Sequence, residues 1–416
     1  MKYGVILFNY GTLAARAAGY NLGDAIQTMA VYEAYKEIGI SDSDILFVNM
    51  QSLKTYRGEK VILPIIGVGV IGEFAPPYSE DIIPLFISTH FVNNYLSVGE
   101  IEYLLKFAPI GCRDEYSFNT MQRYHIPAYL SGCITVLFHS KQKRENKGIY
   151  LIDAPDSLKK YIPEQINKEE IIEDTHLLEL KTDLMTDNEA MKYIEFSRAR
   201  LDAYENAKMV ISSRMHALVP AMTLGTPIIG VFNNISYRFS WLDKFIELYS
   251  EKKFPTINWN PKPINTHTVR ELFMAVFKAS IFDNGNTLEK GNLLTTFYLD
   301  RNKSDYGNYY RDKITSFFED EVLFDYAIWG CGLIGNTVWT IMQERYPQAK
   351  LAFAIDSFYD SLWQGATVVK PNMLDQLNRT KVIIATYSGR EQAFVTLQQL
   401  GYKENIDFIF VATTSG

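Results

Sequence analysis

The stretch MVISSRMHALVPAMTLGTPIIGV, residues 209–231, constrains the fold more than any other part of the sequence. An apolar run, Met209-Val210-Ile211, ends in two serines, an arginine and a histidine. A helix-length segment follows, closed by Gly225-Thr226-Pro227, and a second apolar run begins. Strand, loop, helix and strand in so short a span predict a βαβ unit, and hence a parallel sheet. The N-terminal half agrees. YGVILF, ILFVNM, KVILPIIGVGV, PLFIST and FAPIGCRD are short continuous apolar runs separated by polar or Gly/Pro-containing segments. Such runs suit strands covered by helices on both faces. Asp24, three residues before Gln27, has the form of a capping box. Ile26, Ala30, Ala34 and Ile38 recur every fourth residue, and Gly39 stops the predicted helix.

A chain of 416 residues exceeds what one hydrophobic core usually holds. The polar stretch 139–148 marks a first boundary and the polar stretch 300–313 a second. The expected organisation is α/β: an N-terminal Rossmann-like domain over 1–140, a second over 149–300 with the Ser-Arg-Met-His motif, and a small C-terminal one over 322–416. The formal charge of −7 argues against an extended nucleic-acid surface while allowing a local basic pocket. Three scattered cysteines, Cys112, Cys133 and Cys331, form neither a disulfide framework nor a metal site. They fit a reducing, cytoplasmic compartment. The apolar stretch 61–72 is too short to span a bilayer, so no transmembrane segment is expected.

Arg214 and His216 stand at a strand-to-helix turn, where unpaired backbone N–H groups and the positive end of a helix dipole favour an anion. Ser212 and Ser213 suit capping of that turn. Arg214 would add a planar charged fork, and His216 an acid or base that works near neutral pH. Pairing of Arg214 with a structural carboxylate explains the motif about as well. Arg113, in FAPIGCRDEYSF, occupies the same kind of junction in the first domain. One arginine per domain could grip a doubly charged anion, unless Asp114 and Glu115 tie Arg113 up.

GCRDEYSF, YLSGCITVLF at 129–138, AKMVISSRMHALVPAMTLGTPIIGV and the N-terminal YNLGD together resemble the polysaccharide pyruvyl transferase family over roughly residues 1–245. The resemblance implies a GT-B-like pair of Rossmann-like domains and transfer of the pyruvyl group of phosphoenolpyruvate (PEP) to a sugar diol as a cyclic ketal. It implies PEP contacts from Arg113, Arg214 and the backbone of Met215, with His216 as the catalytic acid/base. Asn21 and Asp24 would line the acceptor side, although a helix cap explains Asp24 equally well. No cofactor or metal is required. The partners expected are PEP and a saccharide acceptor in a capsule or exopolysaccharide pathway, with a lipid-linked acceptor and peripheral membrane proximity left open. Tyr237 and Trp241 could stack on a sugar ring, whereas His90, His125, His139, His176 and His267 read as structural or exposed.

The C-terminal YAIWGCGLIGNTVW supplies Gly330, Gly332 and Gly335 at dinucleotide-motif spacing, and Asp356 follows at a strand end. A nucleotide or sugar-nucleotide is one reading, a structural glycine turn another. Two rival activities stay open at this point: a GT-B-type glycosyltransferase using a nucleotide-sugar, and an NAD-dependent oxidoreductase working through the C-terminal domain.

Overall fold

The computed structural model describes all residues except 10–18, 69–73, 93–95, 141–144, 167, 180–186, 302–306, 320, 322, 360–361, 387–388 and 412–416. Strand β1 (Lys2–Leu7) is followed by the short strand β2 (Tyr20–Asn21) and helix α1 (Leu22–Glu37). The long loop expected after β1 falls largely outside the described residues. Strands β3 (Ile45–Asn49), β4 (Val61–Val68) and β5 (Ile82–His90) come next. Helix α2 (Val98–Lys106), β6 (Ile110–Cys112), α3 (Glu115–Arg123) and β7 (Ala128–Leu130) complete the first half. These strands form a parallel sheet in the order β3-β1-β4-β5-β6-β7. Helix α1 ends as the sequence predicts, with Gly39 at φ +91° just past its last turn. Its start differs: the cap is Asn21, whose side chain accepts from Gly23 N–H at 3.1 Å. Asp24 lies inside the first turn, where its carboxylate favours the helix dipole and accepts from Gln27 at 3.4 Å.

A second sheet contains β8 (Ile149–Ile152) and β9 (Ile171–Asp174). Strand β10 (Leu177–Leu178) then pairs antiparallel with β2, and α4 (Asp187–Glu205) follows. The predicted βαβ unit appears as β11 (Met209–Ser212), α5 (Met215–Thr223) and β12 (Ile228–Phe232), with β13 (Leu248–Ser250) beyond it. The order β13-β12-β11-β8-β9 is parallel throughout. Strand order therefore reverses between β8 and β11, and ligands of doubly wound sheets bind beyond the strand ends at such a point. Helix α6 (His267–Phe282) follows. Both sheets belong to one compact unit, residues 1–121 with 126–295.

The second compact unit comprises residues 122–125 and 296–415. Helix α7 (Thr287–Arg301) enters it and α8 (Gly307–Phe317) opens its core. Strands β14 (Asp325–Trp329), β15 (Lys350–Ile355), β16 (Leu362–Trp363), β17 (Ala366–Val369), β18 (Lys381–Ile384) and β19 (Phe408–Phe410) form a sheet. Helix α9 (Leu333–Arg345) follows β14, and α10 (Arg390–Gln399) follows β18. Apart from the antiparallel edge strand β16, the order β17-β15-β14-β18-β19 is parallel and has the nucleotide-fold pattern 3-2-1-4-5. The polar stretch read as a linker is helical over its described part. Tyr310, Ile314, Phe317 and Phe318 from α8 and just beyond pack into this sheet's core. The polar residues of that stretch hid an amphipathic period.

Candidate functional site

Arg113 follows the last residue of β6, and its backbone N–H continues the ladder by donating to Thr89 O at 2.8 Å. The side chain is 0% exposed, and none of its three guanidinium nitrogens has a hydrogen-bond partner among the described residues. A buried charge normally carries partners, because each unpaired group loses its solvation without replacement. The neighbours that could have satisfied it are engaged elsewhere. Asp114 bonds His90 Nδ1 at 2.6 Å and accepts from the N–H and hydroxyl of Ser117, leaving Arg113 Nε 3.9 Å away. Glu115 pairs with Lys244 at 2.7 Å. Burial and the nearby Arg238 push the Arg113 guanidinium down to about 10, which leaves it charged at neutral pH. Burial pushes the Asp114 carboxyl up, but His90, Arg113 and Ser117 bring it below the usual carboxylate range. Asp114 is therefore ionised and fully occupied.

His216 is the second residue of α5. It is 7% exposed, and its Nε2 has no hydrogen-bond partner among the described residues. Its ring packs on the backbone of Gly23: a Cβ there would lie 2.4 Å from Nδ1. Burial holds the imidazole well below its ordinary pKa, and the fields of Arg113, Arg238 and His176 push the same way. The site thus contains a neutral imidazole beside two cationic guanidiniums.

Ser212 and Ser213 do not cap α5 as expected. Ser212 Oγ accepts from Arg214 N–H at 2.9 Å, and Ser213 Oγ donates to Asp153 O at 2.6 Å. The residue at the cap is Arg214, whose side chain makes no capping bond. The first-turn N–H groups, those of Met215 and His216, have no acceptor within the helix, as at other helix N-termini that take anions. Arg214 itself is tethered: its Nε donates to Asp153 Oδ2 at 2.8 Å. Thr175 Oγ1 and His176 N–H donate to the same carboxylate at 2.7 and 3.0 Å. Burial raises the Asp153 carboxyl, but Thr175, His176 and Arg214 outweigh it and hold the group below its ordinary range. Asp153 follows β8 and Arg214 follows β11, so the pair stands at the reversal point of the second sheet.

The structure brings Asn21, Asp24, Arg113 and His216 toward one place. Asn21 caps α1 and Asp24 lies within the electrostatic field of Arg113. Sequence reasoning missed two residues. Asp153 orients Arg214, and the residue leaves no motif because its partners come from distant segments. Arg238 has a buried Nε with no partner among the described residues, and its charge acts on Arg113, His216 and His90. An arginine in an ordinary polar loop, NNISYRFS, gives no local signal of that position. Trp241, proposed as a sugar-stacking face, is 0% exposed and belongs to the core. The side chain of Tyr237 lies outside the described residues. His90 and His176 are buried, the latter bonded to Tyr204 Oη at 2.9 Å, while His125, His139 and His267 are exposed.

A model of the family described as polysaccharide pyruvyl transferase matches residues 21–235, just over half the chain. The chain belongs to the polysaccharide pyruvyl transferase family. The matched segment holds Asn21, Asp24, Arg113, Arg214 and His216, and Arg238 lies just beyond its end. No curated protein sequence matches the chain. Among solved structures, an uncharacterised protein of Klebsiella pneumoniae is 12% identical, with 55% of this chain and 83% of that one covered at a TM-score of 0.31. S. aureus MnaA, solved with UDP, is 8% identical, with 70% and 91% covered at a TM-score of 0.32.

The C-terminal unit lies outside the family match. Gly330 adopts φ +111°, and a Cβ at Gly335 would lie 2.0 Å from Gly330 O, so the helix seats directly on the turn. Gly332 caps α9 without a side-chain bond. Asp356, expected to face a ribose, accepts from the N–H groups of Cys331, Phe358 and Tyr359 at 3.0, 2.9 and 3.3 Å. It braces the glycine turn. No helix among the described residues is long and apolar enough to cross a membrane.

Proposed function

We propose that this member of the family transfers the pyruvyl group of PEP to two hydroxyls of a saccharide, forming a cyclic ketal and releasing phosphate. The observation that carries the reading is the buried Arg113 guanidinium, whose three nitrogens lack hydrogen-bond partners among the described residues. Together with Arg238 and the open first turn of α5 it forms a site of donors and positive charge, for which a multiply charged small anion is the complement. PEP offers a carboxylate and a phosphate. Arg214, held by Asp153, adds its outer guanidinium nitrogens to the same anion, and Met215 contributes its backbone N–H.

The neutral imidazole of His216 suits this chemistry. A bound anion offsets the fields of Arg113 and Arg238 and restores the ring's affinity for a proton. That proton passes to C3 of PEP, turning the methylene into a methyl group. C2 develops cationic character and is attacked by the first hydroxyl, and the deprotonated imidazole accepts the hydroxyl proton. The C2–O–phosphate bond then breaks, the second hydroxyl closes the ring, and its proton leaves with phosphate. The two Rossmann-like sheets of the first unit would serve as a GT-B-like pair, with Asn21 and Asp24 on the acceptor side. A cytoplasmic location and a lipid-linked acceptor belong to the same proposal, as does a nucleotide or sugar-nucleotide ligand for the glycine turn of the C-terminal unit.

Calorimetric titration with PEP and with inorganic phosphate tests the reading before any acceptor is known. Both should bind, each competing with the other, and Arg113→Met should abolish binding. Absence of binding to the wild-type protein would end the proposal.

A further inference from the structure

Glu115 opens α3 two residues after Arg113. Its backbone N–H donates to Ser240 Oγ at 3.1 Å, and its carboxylate meets Lys244 Nζ at 2.7 Å. Lys244 also lies 3.5 Å from Asp243 Oδ1. Glu115, Ser240 and Lys244 are all buried. Ser240 lies two residues after Arg238, so the turn bearing Arg113 and the segment bearing Arg238 are joined by a hydrogen bond and an ion pair. In effect Ser240 caps α3 from a distant part of the chain, while Lys244 offsets the charge of its first residue.

Stability gives little reason to keep such a cluster. Withdrawing these ions from water is costly, and apolar side chains of similar volume often serve as well or better. What the cluster does supply is position. Arg113 and Arg238 repel each other, and neither the Arg113 guanidinium nor Arg238 Nε has a hydrogen-bond partner among the described residues. Some other contact must hold the two against that repulsion before an anion arrives.

We propose that Lys244 is a positioning residue: with Glu115 and Ser240 it clasps the β6–α3 turn to the segment after β12, and so fixes Arg113 against Arg238 at the separation the anion requires. The inference rests on the reading that these arginines hold the phosphate-bearing substrate.

The test uses the full-length protein and inorganic phosphate as the probe. The double variant Glu115→Gln/Lys244→Met removes both charges of the pair together, and burial, which already pushes the Asp243 carboxyl up to about 7, lets that acid take a proton once Lys244 is gone. It should fold with a melting temperature equal to or above that of wild type, yet bind phosphate more weakly by on the order of tenfold, since sub-ångström placement governs charge-assisted contacts. Lys244→Arg, which keeps the charge, should recover most of the affinity. A double variant that folds and binds phosphate as wild type does would reduce the cluster to a structural role and overturn the proposal. If the double variant fails to fold, Ser240→Ala decides: about threefold weaker binding at unchanged melting temperature supports the clasp, and unchanged binding overturns it. Wild-type protein that ignores phosphate would instead overturn the anion-site reading, a separate outcome visible in the control.

Discussion

His216 rests on Gly23 so closely that a side chain at 23 has no room: its Cβ would fall 2.4 Å from Nδ1 and 3.0 Å from Cβ of the histidine. The glycine of the N-terminal motif thus sets where the imidazole can sit. Gly23→Ala should keep both sheets and displace the ring. A shift of about 1 Å at a reacting group can cost on the order of 10²-fold in rate. Phosphate release from PEP in the presence of acceptor measures it, with circular dichroism as the check on folding. Wild-type turnover in Gly23→Ala would remove His216 from the chemistry.

Arg113 should be a residue whose loss stabilises the empty protein. Replacing a buried guanidinium that has no hydrogen-bond partner among the described residues, and only a loose 3.9 Å ion pair with Asp114, by an apolar side chain of similar length removes a desolvation cost of the kind that makes ion-to-apolar exchanges favourable by about 1–4 kcal/mol. Arg113→Met should therefore raise the melting temperature without ligand and abolish the further rise that phosphate gives wild type. At about 100 times the dissociation constant, that rise corresponds to about 2.7 kcal/mol. A drop in ligand-free stability would mean that Arg113 has partners the site does not reveal.

Anion binding should carry a proton with it. Burial, Arg113, Arg238 and His176 together depress the proton affinity of His216, and a phosphate between the arginines cancels part of that field. Titration with phosphate near pH 7, repeated in buffers of different ionisation enthalpy, should show net proton uptake. His216→Asn should bind phosphate with the uptake lost. Equal heats in all buffers would contradict the coupling.

Acid should weaken the fold through its buried histidines. His176 is pushed down to about 4 by burial, so below pH 6.5 the unfolded chain takes up a proton that the native ring refuses. The stability this group contributes is present above pH 6.5 and is lost as the pH falls toward 4, at up to about 1.4 kcal/mol per pH unit. Between pH 7 and pH 5, His176→Gln should lose about 1–2 kcal/mol less than wild type in urea unfolding. Parallel losses would show that His176 titrates normally.

Where the chain is cut should decide whether the first unit survives alone. Tyr310, Ile314, Phe317 and Phe318 belong to the C-terminal core, so a chain ending near 320 would carry their apolar faces uncovered. A chain ending after Arg301 keeps α7, whose Thr295 accepts from Leu130 N–H at 2.8 Å. That shorter chain should be monodisperse and bind phosphate with wild-type affinity, whereas the longer one should aggregate. Loss of phosphate binding in the shorter chain would assign part of the site to the C-terminal unit.

Much of this was legible in the sequence, and the gaps have physical causes. The apolar run before Ser212 and the glycine turn at Gly225 announced β11, α5 and β12, because strand and helix periods are local properties. Arg113 and Arg214 were visible for the same reason, as charges at strand ends. Asp153, Arg238 and Lys244 were not, since their roles come from partners supplied by distant segments and no spacing encodes them. Asp24 misled because an acid in the first turn and an acid at the cap look alike until the backbone shows that Asn21 precedes the helix. Trp241 misled because an aromatic after a motif suits a core as well as a sugar.

The two-residue ladder between β2 and β10 has a bearing on how the protein is made. It joins Asn21 to Leu177, and the bond from Leu22 N–H to His176 O beside it, at 2.9 Å, spans a similar length of chain. Contacts so distant in sequence bear a large loop-closure entropy and form slowly. A ribosome must release residues past His216 and Lys244 before the donors of the first sheet meet those of the second. Until then Arg113 has no dry environment to enter, and its charge stays hydrated. The anion trap therefore comes into being late in synthesis, and a nascent chain that stalls before α5 carries Arg113 but lacks His216 and Arg238.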